Sequence, residues 1–410
     1  MAAAFRRAGY DVVPFGRTCE VCVVHGCTVT RAAELKSLRC ARAAGDRGAA
    51  PLVVLAGCIV ETAGGDVKSA ANADLAVGQR DKLRLPEIID NLAEPVPQFV
   101  PKRASAIRPE RRRSGEQTAD VDLPRRTRAL VKTQDGCDFH CAYCIVPAAR
   151  GRPVSRPACE IVAEVRGLAQ AGYREIVLTG ANLGCYSDGH NRLTGLLTIL
   201  ERIAGIERIR LSSIELSTVE REIVDYMVNS EKLCRYLHVP LQTGDDELLA
   251  AMGRRYTVAE YRAFVEYACR RIPLLGLGTD VVSGLPGETE RAFANTMALI
   301  RDLPFNNLHV FPYSRRTGTR AASMAAQVPA SVKKRRAALL RDMAPLKLRA
   351  FAERCLGRPV AVLVEQLHDD GSATGWTGEY VEARLPRPSP QPNSIVPLRP
   401  RSFDGRFLTP

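Results

Sequence analysis

The residues with the clearest chemical potential in this sequence are three cysteines in the pattern C-x3-C-x2-C, within QDGCDFHCAYCIVPAARGR. Cys137, Cys141 and Cys144 can converge from one short loop onto one face of an iron–sulfur cluster. Three thiolates leave one iron of a [4Fe–4S] cluster open, and an open iron can bind a small molecule and pass it an electron. A zinc site with His140 as the fourth ligand is the alternative, although zinc motifs usually consist of C-x2-C pairs. The spacing therefore predicts an iron–sulfur site in this loop.

Two further cysteines occupy matching positions near the N-terminus. Cys27 and Cys58 each follow a glycine at the end of a short β-branched apolar run, in VCVVHGC and PLVVLAGC. Such runs are typical of buried parallel strands, and open α/β sheets bind ligands at the carboxyl ends of their strands. We therefore predict that both cysteines ligate a second metal group; small apolar residues at strand ends are the alternative. Cys19, Cys22 and Cys40 are weaker candidates, since Cys22 lies within a strand and Cys40 on a helix.

The elements that position these cysteines alternate between strand and helix. Residues 1–93 are predicted to form an open α/β domain, with strands in YDVVPF, VCVVHGC and PLVVLAGC and helices in KSLRCARAAG and LRLPEIIDNL. Residues 94–127 are rich in proline and arginine and are predicted to be a basic interdomain linker. From 357 to 410, short strands and turns predict a small all-β barrel, in which Trp376 has a packing role.

Residues 128–356 contain six strand–helix repeats, followed by a basic helical extension. The predicted strands are RALVKTQ, EIVLTG, RIRLSSI, YLHVPLQ, GLGTDVVSG and NLHVFPY. Six consecutive repeats predict a parallel sheet that curls into a partial (β/α)6 barrel, with its functional residues in the loops after the strands. The cysteine-rich loop follows the first of these strands, which agrees with that arrangement.

The loops after the other strands carry polar residues and glycines that suit a ligand. They are Gly180 and Asn182 in LTGANLGCY, Ser213 and Glu215 in SSIEL, Gln242 in HVPLQTG and Gly284 in GLPGETE. Each residue alone is also explained by a turn or a helix cap. Their occurrence in successive loops of one repeat predicts a shared pocket. Five cysteines elsewhere are predicted to be structural: Cys159, Cys185, Cys234, Cys269 and Cys355.

Composition narrows the class of protein. The 410 residues include 46% hydrophobic side chains but no apolar run of about 18 residues, so we expect no transmembrane helix. Thirteen cysteines without an export signal indicate a reducing cytoplasm and metal binding. The net charge is +13, and residues 102–128 and 332–354 carry 17 Lys and Arg against six Asp and Glu. Such clusters favour a polyanionic partner, with a solvated linker as the alternative.

In its order of motifs the chain resembles the bacterial methylthiotransferases of the radical S-adenosylmethionine (SAM) superfamily, over nearly its whole length. The motifs are CTVT at Cys27, AGC at Cys58, QDGCDFHCAYCIVPAARGRPVSR, LTGANLGCY, RLSSIE, HVPLQTGDDELLAAMGRRYT, DVVSGLPGETE and HVFPYSRRTGT. The resemblance implies a methylthiotransferase α/β domain, a radical SAM partial barrel and a C-terminal TRAM domain, which is a small RNA-binding β-barrel. LTGANLGCY, RLSSIE and the PLQTG…MGRRYT run are most similar to the MtaB-type branch, which acts on N6-threonylcarbamoyladenosine in tRNA.

The resemblance implies conversion of N6-threonylcarbamoyladenosine at position 37 of tRNA to its 2-methylthio derivative. Cys137, Cys141 and Cys144 would hold a [4Fe–4S] cluster at which SAM is cleaved to methionine and a 5′-deoxyadenosyl radical, and another SAM would donate the methyl group. A second [4Fe–4S] cluster, with Cys27 and Cys58 among its ligands, would handle the sulfur.

Further residues and partners follow from the same resemblance. Tyr143 would pack near the cluster and the adenine of SAM. The residues that would line the SAM pocket are Gly180, Asn182, Ser213, Glu215, Gln242 and Gly284. The implied partners are tRNA and an electron donor such as flavodoxin or ferredoxin, with no membrane partner and a cytoplasmic location.

Three alternatives stand beside this expectation. Related enzymes methylthiolate isopentenyladenosine in tRNA or an aspartate of a ribosomal protein. The third alternative is an RNA-binding protein with impaired methylthiolation, because the family's N-terminal domain normally opens with a strand and a further cysteine that we do not find here. HGC also replaces a more usual Thr-Cys, and Ala148 stands where an aromatic residue is common. We therefore expect one robust cluster and at most a labile second one.

The cysteine motif generates a direct prediction. Cys141→Ala removes one of three thiolates, so we expect the reconstituted variant to form no 5′-deoxyadenosine from SAM in the presence of dithionite. Chromatography of the nucleoside products measures this, with Cys159→Ala as the control that keeps wild-type activity. Wild-type cleavage of SAM by the Cys141→Ala protein would contradict the assignment.

Overall fold

A computed structural model describes residues 1–45, 51–62, 66–92, 127–219, 221–388 and 390–410. The described residues form two compact units. The first contains the described residues up to Leu92 together with Cys144–Gly151 and Ser314–Thr319, and the second contains the rest. The predicted linker at 94–127, with its basic residues, lies outside the described residues except for Thr127.

Both units are built from strands and helices. The strands are β1 (Val21–His25), β2 (Leu52–Ala56), β3 (Leu75–Val77), β4 (Arg128–Lys132), β5 (Gln134–Asp135), β6 (Val154–Ser155), β7 (Glu175–Thr179), β8 (Arg208–Leu211), β9 (Tyr236–His238), β10 (Gly276–Ser283), β11 (Asn307–Pro312), β12 (Val360–Leu367), β13 (Ala373–Thr377), β14 (Glu382–Leu385), β15 (Ile395–Leu398), β16 (Ser402–Phe403) and β17 (Leu408–Thr409). The helices are α1 (Ala2–Arg7), α2 (Arg31–Gly45), α3 (Cys58–Thr62), α4 (Val67–Ala71), α5 (Leu85–Leu92), α6 (Val146–Arg150), α7 (Ala158–Gln170), α8 (Leu193–Glu201), α9 (Arg221–Asn229), α10 (Asp246–Ala251), α11 (Val258–Arg271), α12 (Glu290–Asp302), α13 (Arg320–Ser323) and α14 (Ala330–Cys355).

The first unit is an open α/β sheet. Its strands are parallel in the order β1-β2-β3, with β2 in the middle. The middle strand is buried on both faces, which explains its continuous apolar sequence LVVLA. The predicted α/β class and the strands in VCVVHGC and PLVVLAGC are confirmed.

One predicted strand in this unit is wrong. Residues 10–15, YDVVPF, form no strand, and only an isolated bridge joins Phe15 to Arg17. Tyr10 and Val12 pack against the apolar cluster around Phe5, and the Tyr10 hydroxyl donates to Asp90 at 2.6 Å. Tyr10 and Val12 are therefore partly buried by packing rather than by pairing with the sheet, and Val13 and Phe15 are exposed.

The second unit begins with the predicted partial barrel. Its parallel strands form two sheets, β4-β7-β8 and β9-β10-β11. Main-chain hydrogen bonds link β8 to the chain around β9, including Cys234 N–H to Ile209 O at 2.8 Å. Alternate residues of the strands pack into the main apolar core, as Leu308 and Val310 of β11 do. The residues between them face the interior of the barrel, and all six predicted strands are confirmed.

The C-terminal strands form a curled sheet in the order β15-β12-β13-β14-β17-β16, as expected for a small β-barrel domain. It packs against the amino-terminal end of the barrel. Arg208 Nη1 donates to Trp376 O at 3.2 Å, and Arg210 Nη2 donates to Thr377 O at 3.0 Å. The Trp376 ring stacks on Tyr380 with centroids 4.5 Å apart, which agrees with its predicted packing role.

Both arginines also pair with one fully buried carboxylate. Glu175 Oε1 lies 2.8 Å from Arg210 Nε, and its Oε2 lies 3.4 Å from Arg208 Nη1. Burial disfavours the charged carboxylate, but the two guanidinium groups outweigh it, so the pKa of Glu175 is lowered. Within the described part of the chain, no helix is long and apolar enough to cross a membrane.

This ion group predicts a stability effect. Glu175→Gln leaves two buried arginines without their counter-charge, and we expect the free energy of unfolding to fall by about 3 kcal/mol. Because the pKa of Glu175 is lowered on folding, its contribution is present above pH of about 4.5 and is lost as the pH falls further. The variant should lack that pH dependence.

Chemical denaturation at neutral pH and at lower pH measures both effects. Glu207→Gln is the matched control, because its pair with Arg174 is about half exposed and contributes at most about 1 kcal/mol. Equal destabilisation by the two variants would show that the buried group is unimportant.

Candidate functional site

The cysteine-rich loop follows β5 and has no regular structure until α6. Gly136 and His140 both have positive φ, of 74° and 48°, so the chain turns sharply at these two points. This supports a turn role for His140, whose side chain is exposed. Ala142 holds the loop through its main chain, because its N–H donates to Met252 O and its carbonyl accepts from Ala321 N–H, both at 2.8 Å.

The thiols of this loop meet N–H donors, as cluster thiolates do. Arg254 Nη1 lies 3.4 Å from Cys141 Sγ, and Val146 N–H lies 3.4 Å from Cys144 Sγ. Cys137 is half-buried, and burial raises the pKa of its thiol, with the nearby Cys141 as a further cause. Cys144 follows Cys141 by three residues. This donor set fits a cluster with three thiolate ligands.

Arg254 is the centre of the polar contacts beside the loop. Its Nη2 donates to Glu215 Oε1 at 2.8 Å, and its Nη1 lies 3.4 Å from the Tyr143 hydroxyl. Its Nε donates to the Tyr256 hydroxyl at 3.3 Å. Burial opposes its charge, but Tyr143, Tyr256, Glu215 and Cys141 outweigh burial and raise its pKa. The Arg254 guanidinium therefore joins the cysteine loop to the loop after β8.

Asn182 and Gly180 shape the loop after β7. Asn182 is buried, its N–H donates to Gln134 Oε1 at 3.0 Å, and its Oδ1 accepts from the Thr218 hydroxyl at 3.0 Å. A Cβ on Gly180 would lie 2.9 Å from that same Gln134 oxygen, so a larger residue there would displace the Gln134 side chain from Asn182. The two predicted loops, after β7 and β8, thus meet through Asn182 and Thr218.

The other predicted pocket residues have different surroundings. Ser213 is exposed. Gln242 is buried with a φ of 69°, and its main chain bonds on both sides to β10, to Asp280 O at 2.8 Å and from Val282 N–H at 2.9 Å. Gly284 has a φ of 73°, and a Cβ there would collide with the Lys333 side chain. The backbone therefore explains the glycine at 284, whereas the glutamine at 242 adopts a φ that its type does not favour.

The N-terminal cysteines lie where two neighbouring parallel strands end. Cys27 follows β1 and is exposed, and Cys58 begins α3 directly after β2 and is buried. Cys22 is buried in the apolar cluster of this unit, and Cys19 and Cys40 pack against it. These three cysteines therefore lie in apolar surroundings, where a cysteine commonly has a packing role.

A buried arginine supports the loop that carries Cys27. Arg316, from the segment Ser314–Thr319 of this unit, donates to the Thr28 hydroxyl at 2.7 Å and forms a buried ion pair with Glu34. The Thr62 hydroxyl of α3 donates to the same Thr28 oxygen at 2.6 Å. Thr28 thus ties the residues after Cys27 to the helix that begins at Cys58.

Three residues in these surroundings were missed by the sequence analysis. Arg254 and Arg316 lie within motifs that were recognised, MGRRYT and SRRTGT, but nothing in those letters tells a buried arginine from a solvated one. Cys185 was predicted to be structural, yet its half-buried thiol lies near Cys137. Burial, followed by the charges of Cys137, Asp138 and Glu215, raises the pKa of Cys185 to about 11.

Comparison with known families finds two matches along the chain. Residues 131–300 match the radical SAM superfamily, and residues 1–78 match the uncharacterized protein family UPF0004. Among solved structures, the radical SAM methyltransferase TsrM from Kitasatospora setae superposes with a TM-score of 0.55 at 16% identity. That match covers 88% of this chain and 67% of TsrM, and it supports the fold alone.

Curated relatives match over most of their length. The threonylcarbamoyladenosine tRNA methylthiotransferase MtaB of Bacillus subtilis is 32% identical over 388 residues, which cover 92% of this chain and 84% of the relative. The protein of the same name in Aquifex aeolicus is 33% identical, with 88% and 87% covered. A tRNA-2-methylthio-N(6)-dimethylallyladenosine synthase of Sphingopyxis alaskensis is 31% identical, with 89% and 83% covered.

The contacts of Arg254 generate a prediction. Lysine cannot contact Cys141, Tyr143 and Glu215 together, so we expect Arg254→Lys to slow 5′-deoxyadenosine formation about 10- to 100-fold, the cost of losing a hydrogen bond to a charged group. Arg291→Lys is the matched control, because Arg291 lies on α12, is exposed and pairs with Glu247. Initial rates with dithionite measure the effect. Similar rates for the two variants would contradict a role for Arg254 at the site.

Proposed function

The chain belongs to the radical SAM tRNA methylthiotransferases, and we propose that it converts N6-threonylcarbamoyladenosine at position 37 of tRNA to the 2-methylthio derivative. The observation that carries the substrate is the similarity to MtaB proteins over about nine-tenths of this chain. The local motifs LTGANLGCY, RLSSIE and PLQTG…MGRRYT favour the same branch. The change replaces hydrogen at C2 of the adenine by a methylthio group.

The residues of the barrel divide the work of the reaction. Cys137, Cys141 and Cys144 would hold a [4Fe–4S] cluster, which when bound supplies one electron to SAM. Arg254 donates toward the Cys141 sulfur, and hydrogen bonds of this kind tune the potential of a cluster. Asn182 and Glu215 hold the two loops after β7 and β8 that are proposed to face SAM.

The sulfur chemistry is assigned to the first unit. Cys27 and Cys58 are the proposed ligands of a second [4Fe–4S] cluster, because they lie at the ends of neighbouring strands. Thr28 and Arg316 hold the surrounding loop in place. An electron donor such as flavodoxin or ferredoxin would reduce the barrel cluster, and a tRNA substrate puts the reaction in the cytoplasm.

The RNA contacts are proposed from charge. The basic helix α14 and the curled C-terminal sheet offer a surface for tRNA phosphates. The basic residues of 94–127 would neutralise further tRNA phosphates. The proposal therefore includes binding that weakens as the salt concentration rises.

Mass spectrometry of tRNA nucleosides from a deletion strain tests the substrate. We expect 2-methylthio-N6-threonylcarbamoyladenosine to disappear, 2-methylthio-isopentenyladenosine to remain, and wild-type protein but not Cys141→Ala to restore the lost nucleoside. Loss of the isopentenyl product instead would assign the other branch. Retention of both products, or loss of a ribosomal protein modification alone, would contradict a tRNA function.

The second cluster has its own measurement. Because we expect at most a labile second cluster, iron analysis after anaerobic reconstitution should give more than about four but fewer than about eight irons per chain, and about four for Cys27→Ala combined with Cys58→Ala. Loss of methylthiolation with continued SAM cleavage in that double variant would support the division of roles. Equal iron contents in both proteins would rule out Cys27 and Cys58 as ligands.

A further inference from the structure

A chain of hydrogen bonds crosses three adjacent strands on the interior face of the barrel. Asp280 Oδ1 lies 3.0 Å from His238 Nε2 and 3.1 Å from His309 Nδ1, and these residues come from β10, β9 and β11. The Tyr236 hydroxyl lies 3.3 Å from His238 Nδ1 and accepts from Asn307 Nδ2 at 3.4 Å. The parallel register, which pairs Asp280 with His309, brings these side chains together.

The protein makes room for this network. A Cβ on Gly278 would collide with both the Tyr236 hydroxyl and the His238 ring. Burial disfavours the charge on Asp280, but its hydrogen bonds to His238 and His309 outweigh burial and lower its pKa. The charged Asp280 carboxylate accepts hydrogen bonds from both imidazoles. The proton therefore lies on Nε2 of His238 and on Nδ1 of His309.

The two imidazoles of the network differ in how many of their ring nitrogens are hydrogen-bonded. His238 uses Nε2 toward Asp280 and Nδ1 toward Tyr236, and its side chain is 7% exposed. His309 uses Nδ1 toward Asp280, and within the described residues its Nε2 has no hydrogen-bond partner. The His309 side chain is 49% exposed. Its Nε2 is therefore an acceptor held in a fixed direction and open to the barrel interior.

An aromatic ring lies beside that atom. Phe311 is two residues further along β11, so it projects from the same face of the strand. It is 44% exposed, and its ring centroid is 6.4 Å from that of His309. The partly exposed phenylalanine ring and the fixed imidazole together match a flat heterocycle with an N–H at its edge. Aromatic side chains commonly stack on nucleobases, and polar neighbours bond the base edges.

We propose that His309 and Phe311 form a platform for the purine ring of an adenine nucleoside, with Asp280 positioning the imidazole. The ring would pack on Phe311, and an exocyclic N–H or a ribose hydroxyl would donate to His309 Nε2. This deepens the proposed function and rests on it, because that reaction brings two adenine nucleosides to the barrel, SAM and the target adenosine of tRNA. The experiment distinguishes these two sources.

The test compares three variants of the full reconstituted chain. His309→Asn keeps an amide N–H that reaches Asp280 but removes the Nε2 position, and His309→Gln returns a polar atom to that position. Phe311→Leu keeps an apolar side chain and removes the ring plane. Tyr267→Leu, an aromatic loss on the outer helix α11, is the matched control. Thermal melting and cluster absorbance show that each variant is folded and loaded.

Two binding measurements are made on each protein. The first is the KM for SAM in tRNA-independent formation of 5′-deoxyadenosine. The second uses two anticodon stem-loop RNAs, one with N6-threonylcarbamoyladenosine and one with an abasic site at that position. The RNA ratio is the Kd for the abasic RNA divided by the Kd for the RNA with the modified base. Loss of base stacking typically weakens binding by about fivefold or more. A fivefold fall in the RNA ratio for His309→Asn and Phe311→Leu, partly restored in His309→Gln, supports the platform with the tRNA base as its ligand.

One further outcome would identify SAM rather than the tRNA base as the ligand, and two others would contradict the platform. A fivefold rise in the KM for SAM, with an unchanged RNA ratio, supports the platform with SAM as its ligand. Both quantities within twofold of wild type in His309→Asn and Phe311→Leu would overturn it. So would one equivalent of zinc in chelator-treated wild-type protein that is absent from His309→Asn, since the three polar groups would then be metal ligands. If the wild-type protein methylthiolates no tRNA but the variants still show either shift, the proposed function is refuted and the platform is not.

Discussion

Glu175 has no contact with solvent, and the cost of burying its charge constrains the whole barrel unit. Two arginines neutralise it, and their remaining N–H groups donate to main-chain carbonyls of the C-terminal sheet. Separating that sheet from the barrel would break these hydrogen bonds from charged donors, each of which typically contributes about 1.5–3 kcal/mol. The amino-terminal end of the barrel is therefore closed by the C-terminal domain. Ligands are left with the carboxyl ends of the strands, where the candidate site lies.

A buried charge that needs partners also lies at the carboxyl ends of the strands, but there it connects loops. Arg254 is also buried, but these partners belong to two loops rather than to the strands. One of these partners is the sulfur of Cys141 and another is the carboxylate of Glu215. With Cys141 as a ligand of the proposed cluster, this shared cation would couple the geometry of the loops to the charge of the cluster. The Asp280 network is a third buried polar group, and it ends at an exposed imidazole.

Local pattern was a good guide to the strands that are buried on at least one face. All six barrel strands and the strands that lead to Cys27 and Cys58 have the apolar runs or alternation that are typical of buried strands. The same reasoning failed for YDVVPF, because apolar residues that pack against a helix look like a strand in a short window. It also missed β3, β5, β6, β16 and β17, whose two or three residues have too little periodicity to be seen. These short strands exist because a distant partner pairs with them.

The sequence by itself determined the fold class, the three-thiol motif and the family, because each depends on residue types at fixed spacing along the chain. It also indicated which loops carry polar residues. Only the tertiary structure decided which of those residues meet: Asn182 with Thr218, and Glu215 with Arg254. It alone distinguished the buried arginines from the many solvated ones and placed His309 beside Asp280. Burial and contact between residues tens of positions apart depend on how strands align in the sheet, and no local spacing contains that information.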